Sequence, residues 1–192
     1  MKQIQEPAKT IPVMAETDVL VVGGGPSGLA AAIAAAREGV ETTLVERWGS
    51  FGGNITQSMV ASIAWYRYEK TVEAGGIGAE LERRAEELGA SLDADMVQYL
   101  DEDTLNYVIP ILAKSPNPPA SAASLDTDLF KRVADVMVQE ASVNPLLHCY
   151  TVDAIMDGQT IKGVITESKS GRQAILAKRV IDATGDADIA HF

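Results

Sequence analysis

The segment Asp18–Arg47 reads DVLVVGGGPSGLAAAIAAAREGVETTLVER and commits its residues to a strand, a turn, a helix and a second strand. Val19 to Val22 form a continuous apolar run, as expected of a strand buried on both faces of a sheet. Gly23, Gly25 and Gly28 follow directly in G-x-G-x-x-G spacing. Leu29 to Glu38 then predict an Ala-rich helix whose small side chains let it lie close on the sheet. Gly39 stands where a left-handed cap is wanted. Thr42 to Val45 predict the second strand, which delivers Glu46 at its C-terminal tip. A strand–helix–strand unit of this kind places the chain in the α/β class.

Each position has a chemical reason. Gly23 permits a tight strand-to-helix turn, Gly25 removes a side chain that would block a pyrophosphate, and Gly28 lets helix and strand touch. Phosphates then meet free backbone N–H groups and the positive end of the helix dipole. Glu46 lies 18 residues past Gly28, where a carboxylate can accept hydrogen bonds from an adenosine ribose. A free 2′-hydroxyl suits that acid and a 2′-phosphate is repelled by it. FAD or NAD is therefore expected, and NADP is not. A Gly-rich turn of no consequence would not explain a strand, a helix, Gly39 and Glu46 all in register.

The chain has 192 residues, enough for one domain with a sizeable core. Its net charge of −11 argues against nucleic acid and anionic membranes, both of which demand a basic footprint. Arg83 and Arg84, the densest basic spot, are surrounded by Glu80, Glu82, Glu86 and Glu87. The single Cys149 excludes an internal disulfide framework and a multi-cysteine metal or iron–sulfur site from this chain alone. Its setting, LLHCY, predicts a buried structural thiol. No signal peptide is read in the first residues and no bilayer-length apolar stretch follows, so a cytoplasmic protein is expected.

Ile11 to Met14 could add a short strand, setting off a leader at 1–16 from a domain at 17–192. A helical and loop segment is inserted at about 57–125. Within it, Met59 to Tyr68 reads as buried, Ile77 to Leu88 as an amphipathic helix closed by Gly89, and SPNPPASAAS as an exposed loop. Asp126 or Thr127 caps a helix reaching about Ala141. Leu146 to Tyr150 reads as a strand. A β-meander follows over Thr151–Met156, Ile161–Glu167 and Gln173–Ala177, with turns at Asp157–Gly158 and Ser170–Gly171. A last strand, Arg179 to Ile181, leads into Asp182-Ala183-Thr184-Gly185-Asp186.

The first motif alone does not separate FAD from NAD. Three later features favour FAD: the bare loop Gly52-Gly53-Asn54, a meander in place of a second βαβ half, and the ATGD turn. With these, the chain resembles the N-terminal part of the FAD-dependent oxidoreductases of the glutathione-reductase-like superfamily. Their relatives include the heterodisulfide-reductase flavin subunit, fumarate-reductase-type flavoproteins and thiazole synthases. The resemblance rests on EPAKTIPV, VVGGGPSGLAAAIAAAREG, LVER, FGGN, LLHCYTVDAI and VIDATGDADIA, nearly the whole chain. It implies a Rossmann-like FAD-binding domain with a parallel sheet and a meander. Backbone around Gly23, Gly25, Pro26, Ser27 and Gly28 would hold the pyrophosphate, Glu46 the ribose, and Arg47 the adenine face. Gly52, Gly53 and Asn54 would approach the flavin side, Val152 would touch adenine through its backbone, and Ala183, Thr184 and Gly185 would line the far wall.

Members of that group are usually much longer, so the chain is expected to be truncated at its C-terminus. A second copy, or a second chain supplying the rest, is the expected partner, beside a small-molecule substrate. Cysteines that bind a cluster in some relatives are absent from Asn54 to Tyr68, so no metal site is expected. No catalytic constellation stands out. His148 reads as an ordinary strand histidine, and Arg67 between Trp65, Tyr66 and Tyr68 as a surface cation packed on rings rather than a carboxylate clamp. Hydride transfer between a small organic substrate and flavin is the leading expectation, since a flavin carries that chemistry itself. The alternatives are a non-catalytic adenine-dinucleotide-binding subunit and, least favoured, an NAD-dependent dehydrogenase.

Overall fold

The computed structural model describes residues 2–61, 75–89, 91–92 and 124–192. Eight strands and five helices occur among them, and six of the strands make one sheet. In chain order these are β1 (Val13–Val22), α1 (Pro26–Arg37), β2 (Thr42–Val45), α2 (Asn54–Gln57), α3 (Gly76–Glu87), β3 (Ser91–Leu92) and β4 (Ser124–Leu125). After them come α4 (Thr127–Glu140), β5 (Asn144–Leu146), β6 (Tyr150–Asp157), β7 (Thr160–Ser168), β8 (Gly171–Asp182) and α5 (Asp188–His191).

The large sheet has the order β5-β2-β1-β8-β7-β6. β5, β2, β1 and β8 are mutually parallel, and β7 and β6 continue as an antiparallel ribbon. This is the Rossmann-like parallel sheet with a meander that the sequence leads one to expect. β1 runs unbroken from Val13 through the apolar run, so Ile11–Met14 does not add a separate strand. Val21 and Leu44 face a core with Leu29, Ala32 and Ile33 of α1, joined by Leu81 and Ala85 of α3 and Phe130, Val133 and Met137 of α4. On the opposite face Leu20, Val22 and Val45 pack with Cys149, Val164, Ile175 and Ile189. A strand buried on both sides must be apolar throughout, which is why Val19–Val22 does not alternate.

Two strand expectations need correction. The meander's third strand and the Arg179–Ile181 strand are one twelve-residue strand, β8. It continues past Leu176 because its neighbour changes: β7 pairs with it only over Gly171–Leu176, while β1 pairs with it from Ala174 to Asp182. β7 departs at Gly163, where a Cβ would lie 2.0 Å from the Ile175 carbonyl. The predicted strand at Leu146–Tyr150 instead ends at Leu146, having begun at Asn144. Pro145, with no N–H to give, is accommodated because β5 is an edge.

The helices follow their signals. Gly39 takes φ +83° after α1, and Asp126 caps α4 by accepting from the N–H groups of Asp128 and Leu129. Arg37 of α1 grips Glu80 of α3 through two bonds of 2.7 and 2.9 Å. Arg84 joins Glu80 to Glu140 of α4. Hydrogen bonding to Arg37, ahead of that to Arg84, holds the Glu80 carboxyl down at about 2 despite partial burial.

Met59 and Val60 are exposed, contrary to the buried reading of that segment. Residues 62–68 of that segment, with Trp65 and Arg67, and most of SPNPPASAAS lie outside the described residues. Among the described residues no helix is long and apolar enough to cross a membrane. No group of three His, Cys, Asp or Glu is placed there to hold a metal.

Candidate functional site

The C-terminal ends of β1, β2 and β8 leave a cleft of about 440 Å³ in front of α1. Small-molecule sites are typically ~300–1,000 Å³. Open parallel sheets place ligands at this end because the strand-to-helix turns there expose backbone donors.

The turn from β1 to α1 is shaped by contact. Gly23 takes φ +100°, and a Cβ on it would lie 2.4 Å from the Ala183 carbonyl oxygen. A Cβ on Gly28 would lie 1.7 Å from the Gly23 carbonyl oxygen, so α1 rests directly on the turn. Gly25 differs. A Cβ there would meet only the Cα of Gly53, at 3.8 Å, so its side stays open. No side chain caps α1, and its first turn holds no acid. Pro26 has no N–H, and the helix's own bonding starts with Leu29 N–H to the Gly25 carbonyl. The N–H groups of Ser27 and Gly28 precede that bond, which makes this end ready for an anion.

On one side of the turn lies Glu46, only 5 % exposed. Its Oε2 accepts from the Gly24 N–H at 2.7 Å and its Oε1 from the Trp48 N–H at 2.9 Å. The carboxylate thus ties the β1–α1 turn to the loop after β2. The Arg47 guanidinium sits 5.4 Å from the centre of the half-exposed Trp48 indole. The loop after β5 continues the parallel ladder: His148 N–H donates to Trp48 O and Cys149 N–H to Glu46 O, both at 3.0 Å. Cys149, Tyr150 and Thr151 then face the cleft. Burial pushes the Cys149 thiol up, which fits the structural role expected of it. Among the described residues the Thr151 hydroxyl is the one buried side-chain polar atom without a partner. His148 does not sit in a strand. It is exposed at φ +56°, with its ring against the Cα of Gly49.

Opposite, Ala183 N–H donates to Val22 O at 2.8 Å and starts a wall made of Ala183, Thr184, Gly185 and Asp188. Gly53 and Asn54 close the third side.

The structure therefore brings Gly23, Gly25, Pro26, Ser27, Glu46, Arg47, Gly53, Asn54, Ala183, Thr184 and Gly185 around one cleft. Gly28 and Gly52 stand behind it, packed on Gly23 and on the Thr56 side chain. Val152 is not in the lining. β6 slips register against β7 between Thr151 and Asp153, so Val152 is the extra residue of a bulge and its two predecessors face the cleft. Sequence reasoning missed Trp48, Gln57, Ser58, Cys149, Tyr150, Thr151 and Asp188. Trp48 alone carried a signal, as an aromatic next to Glu46-Arg47.

These features fit an adenine dinucleotide: an uncapped helix end for phosphate, an open Gly25, a carboxylate at the strand tip and an orphaned hydroxyl. The profile of FAD dependent oxidoreductases matches residues 18–192. The chain belongs to that family. FAD is thus its cofactor. Thiamine thiazole synthase of Methanococcus vannielii is 31% identical over 186 residues, covering 91% of this chain and 58% of that one. NADH oxidase of Thermoanaerobacter brockii is 30% identical over 129 residues, covering 65% of this chain and 19% of that one. Thermovibrio ammonificans THI4 shares the fold at a TM-score of 0.55 and 21% identity, over 92% of this chain and 60% of that structure. A flavocytochrome c3 fumarate reductase does so at 0.55 and 20%, over 88% of this chain and 34% of that structure. The chain spans 58–59% of the length of the thiazole synthases it matches.

Proposed function

We propose that the chain is the FAD-binding part of an oxidoreductase that moves a hydride between a small organic substrate and flavin. The observation that carries this reading is the uncapped N-terminus of α1 beside the open face of Gly25. Both groups favour an anion, as the pyrophosphate of FAD would be. Bound FAD would supply the electron chemistry through its flavin ring. The chain's own residues do the holding. Ser27 and Gly28 N–H groups meet the phosphates, Glu46 accepts from the ribose through lone pairs its backbone bonds leave over, and Arg47 and Trp48 offer flat surfaces to adenine. Thr184, Gly185 and Asp188 border the path away from the pyrophosphate. Kinship with the glutathione-reductase-like superfamily, and a further copy or chain completing the substrate site, belong to the same reading.

Reconstitution with FAD tests it. A yellow protein with a bound-flavin spectrum that bleaches under a reduced organic donor is the expected result. No flavin uptake would refute the reading. ADP-tight binding without reduction by any donor would favour a nucleotide-holding subunit. A second reading is thiazole formation, favoured by the 31% identity to a thiamine thiazole synthase across 91% of the chain. Release of a thiazole product by the reconstituted protein would select it.

A further inference from the structure

Two helices end at the cleft, and the chain treats them in opposite ways. No side chain caps the N-terminus of α1. α5 is only four residues long, and its cap position, Ala187, is a left-handed alanine at φ +59° with no side-chain bond of its own. A left-handed conformation is unfavourable for a non-glycine residue, so something must hold this turn in place.

Asp182, the last residue of β8, supplies the hold from outside the helix. Its Oδ2 accepts from the N–H groups of Ile189 and Ala190, each at 3.1 Å. Its Oδ1 accepts from the Thr184 hydroxyl at 2.7 Å and the Thr184 N–H at 3.1 Å. The Thr184 oxygen in turn accepts from the Asp188 N–H at 2.9 Å. All three leading N–H groups of α5 are thereby taken by two side chains. Asp182 also pairs with Val22, and Ala183 presses on Gly23, so the clasp is anchored to the phosphate turn. Between its anchors lie Thr184, Gly185 and Asp188, one wall of the cleft.

We propose that Asp182 and Thr184 are positioning residues for FAD, forming a carboxylate–hydroxyl clasp that fixes the Thr184–Asp188 wall against the phosphate turn. The inference rests on the FAD reading above but goes beyond it: that reading gives Asp182 no role and does not say what holds Thr184 in the wall. Burial alone would raise the Asp182 carboxyl. The hydrogen bonds from Thr184, Ala190 and Ile189 outweigh it and hold the group below the ordinary carboxylate range, so it is ionised at neutral pH. With four donors on one carboxylate, an asparagine would leave some of them unsatisfied: its amide end would face N–H groups with an N–H of its own.

The test uses the full chain as wild type, Asp182→Asn, Thr184→Val and Thr184→Ser. Amide hydrogen exchange without FAD reads the clasp directly. Ile189 and Ala190 should lose protection in D182N, and Asp188 in T184V, whereas T184S keeps the hydroxyl and the protection. Stopped-flow release of FAD reads the consequence. D182N and T184V should release it about tenfold faster, the scale of one lost hydrogen bond, with T184S within about twofold of wild type. Wild-type release from D182N, or T184S failing as T184V does, would overturn the proposal. If D182N does not fold, the T184V and T184S comparison decides by the same criteria. A wild-type chain that takes up no FAD would sink the FAD reading itself, a result distinct from variants that match a working wild type.

Discussion

Gly25→Ala should separate folding from binding. Gly25 has φ −69° and ψ −178°, which alanine adopts freely. The added methyl would meet only the Gly53 Cα at 3.8 Å, an ordinary contact. Alanine is a poorer helix cap than glycine by up to about 1 kcal/mol. It also restricts the unfolded chain, which returns roughly 0.4–1 kcal/mol. The net change in stability without FAD should therefore be within about 0.5 kcal/mol. In the bound state the same methyl stands between the pyrophosphate and the N–H groups of α1. Losing even one charge-assisted bond there costs about 1.5–3 kcal/mol, so FAD affinity should fall at least tenfold and up to roughly two hundredfold. Urea unfolding without cofactor and fluorescence titration with FAD give the two numbers. G28A is the contrast, because its methyl would sit 1.7 Å from the Gly23 carbonyl oxygen and must damage the fold itself. A G25A protein that binds FAD as wild type would show that the pyrophosphate does not pass Gly25.

Three further outcomes are expected. Glu80→Gln removes a carboxyl held at about 2 against an ordinary 4.5; its lowered value contributes stability above pH 4.5 that fades as pH falls toward 2. Allowing for solvent screening, E80Q should cost about 1–2 kcal/mol at pH 7, with the gap to wild type closing near pH 2 in denaturant titrations; a gap independent of pH would contradict the ion-pair account. Glu46→Gln places an amide where Gly24 and Trp48 both donate, so it should lose about 1–3 kcal/mol of stability before FAD is added, read by urea unfolding; an unchanged midpoint would mean that Glu46 acts on the ligand alone. Thr151→Val removes the orphaned hydroxyl and should raise the stability of the FAD-free protein by about 1 kcal/mol, read as a higher melting temperature; a lower one would show that the hydroxyl is satisfied.

The parts of the fold legible in the sequence are those with local causes. The βαβ unit was readable because Val19–Val22, three glycines, Gly39 and Glu46 each answer to a short-range rule. The extent of β8 was not, because its last residues, beyond Leu176, pair only with β1, a strand distant in sequence. Likewise Thr151 reached the cleft through a bulge in β6, and Val152 did not, though nothing in TVD distinguishes them. The staple formed by Glu46 was half visible. Its place at the strand tip followed from spacing, while its bonds to Gly24 and Trp48 required two loops to fold back on it. The Asp182 clasp closes over seven and eight residues, yet left-handed Ala187 carries no sequence mark.

Pairing β1 with β8 also sets a timetable. β1 ends at Val22 and β8 begins at Gly171. At translation rates of roughly 5–20 residues per second, the strand that completes the β1–α1 turn emerges about 7–30 s after the turn itself. Closing so long a loop is entropically slow as well. The glycine fingerprint is thus made well before the strand that completes the cleft beside it. Until β8 arrives, the flank of β1 is an open, apolar edge able to recruit wrong strands. Ala183, Thr184 and Gly185 of the cleft follow β8, so on the proposed FAD site cofactor uptake by a nascent chain should begin only after synthesis has passed Asp182.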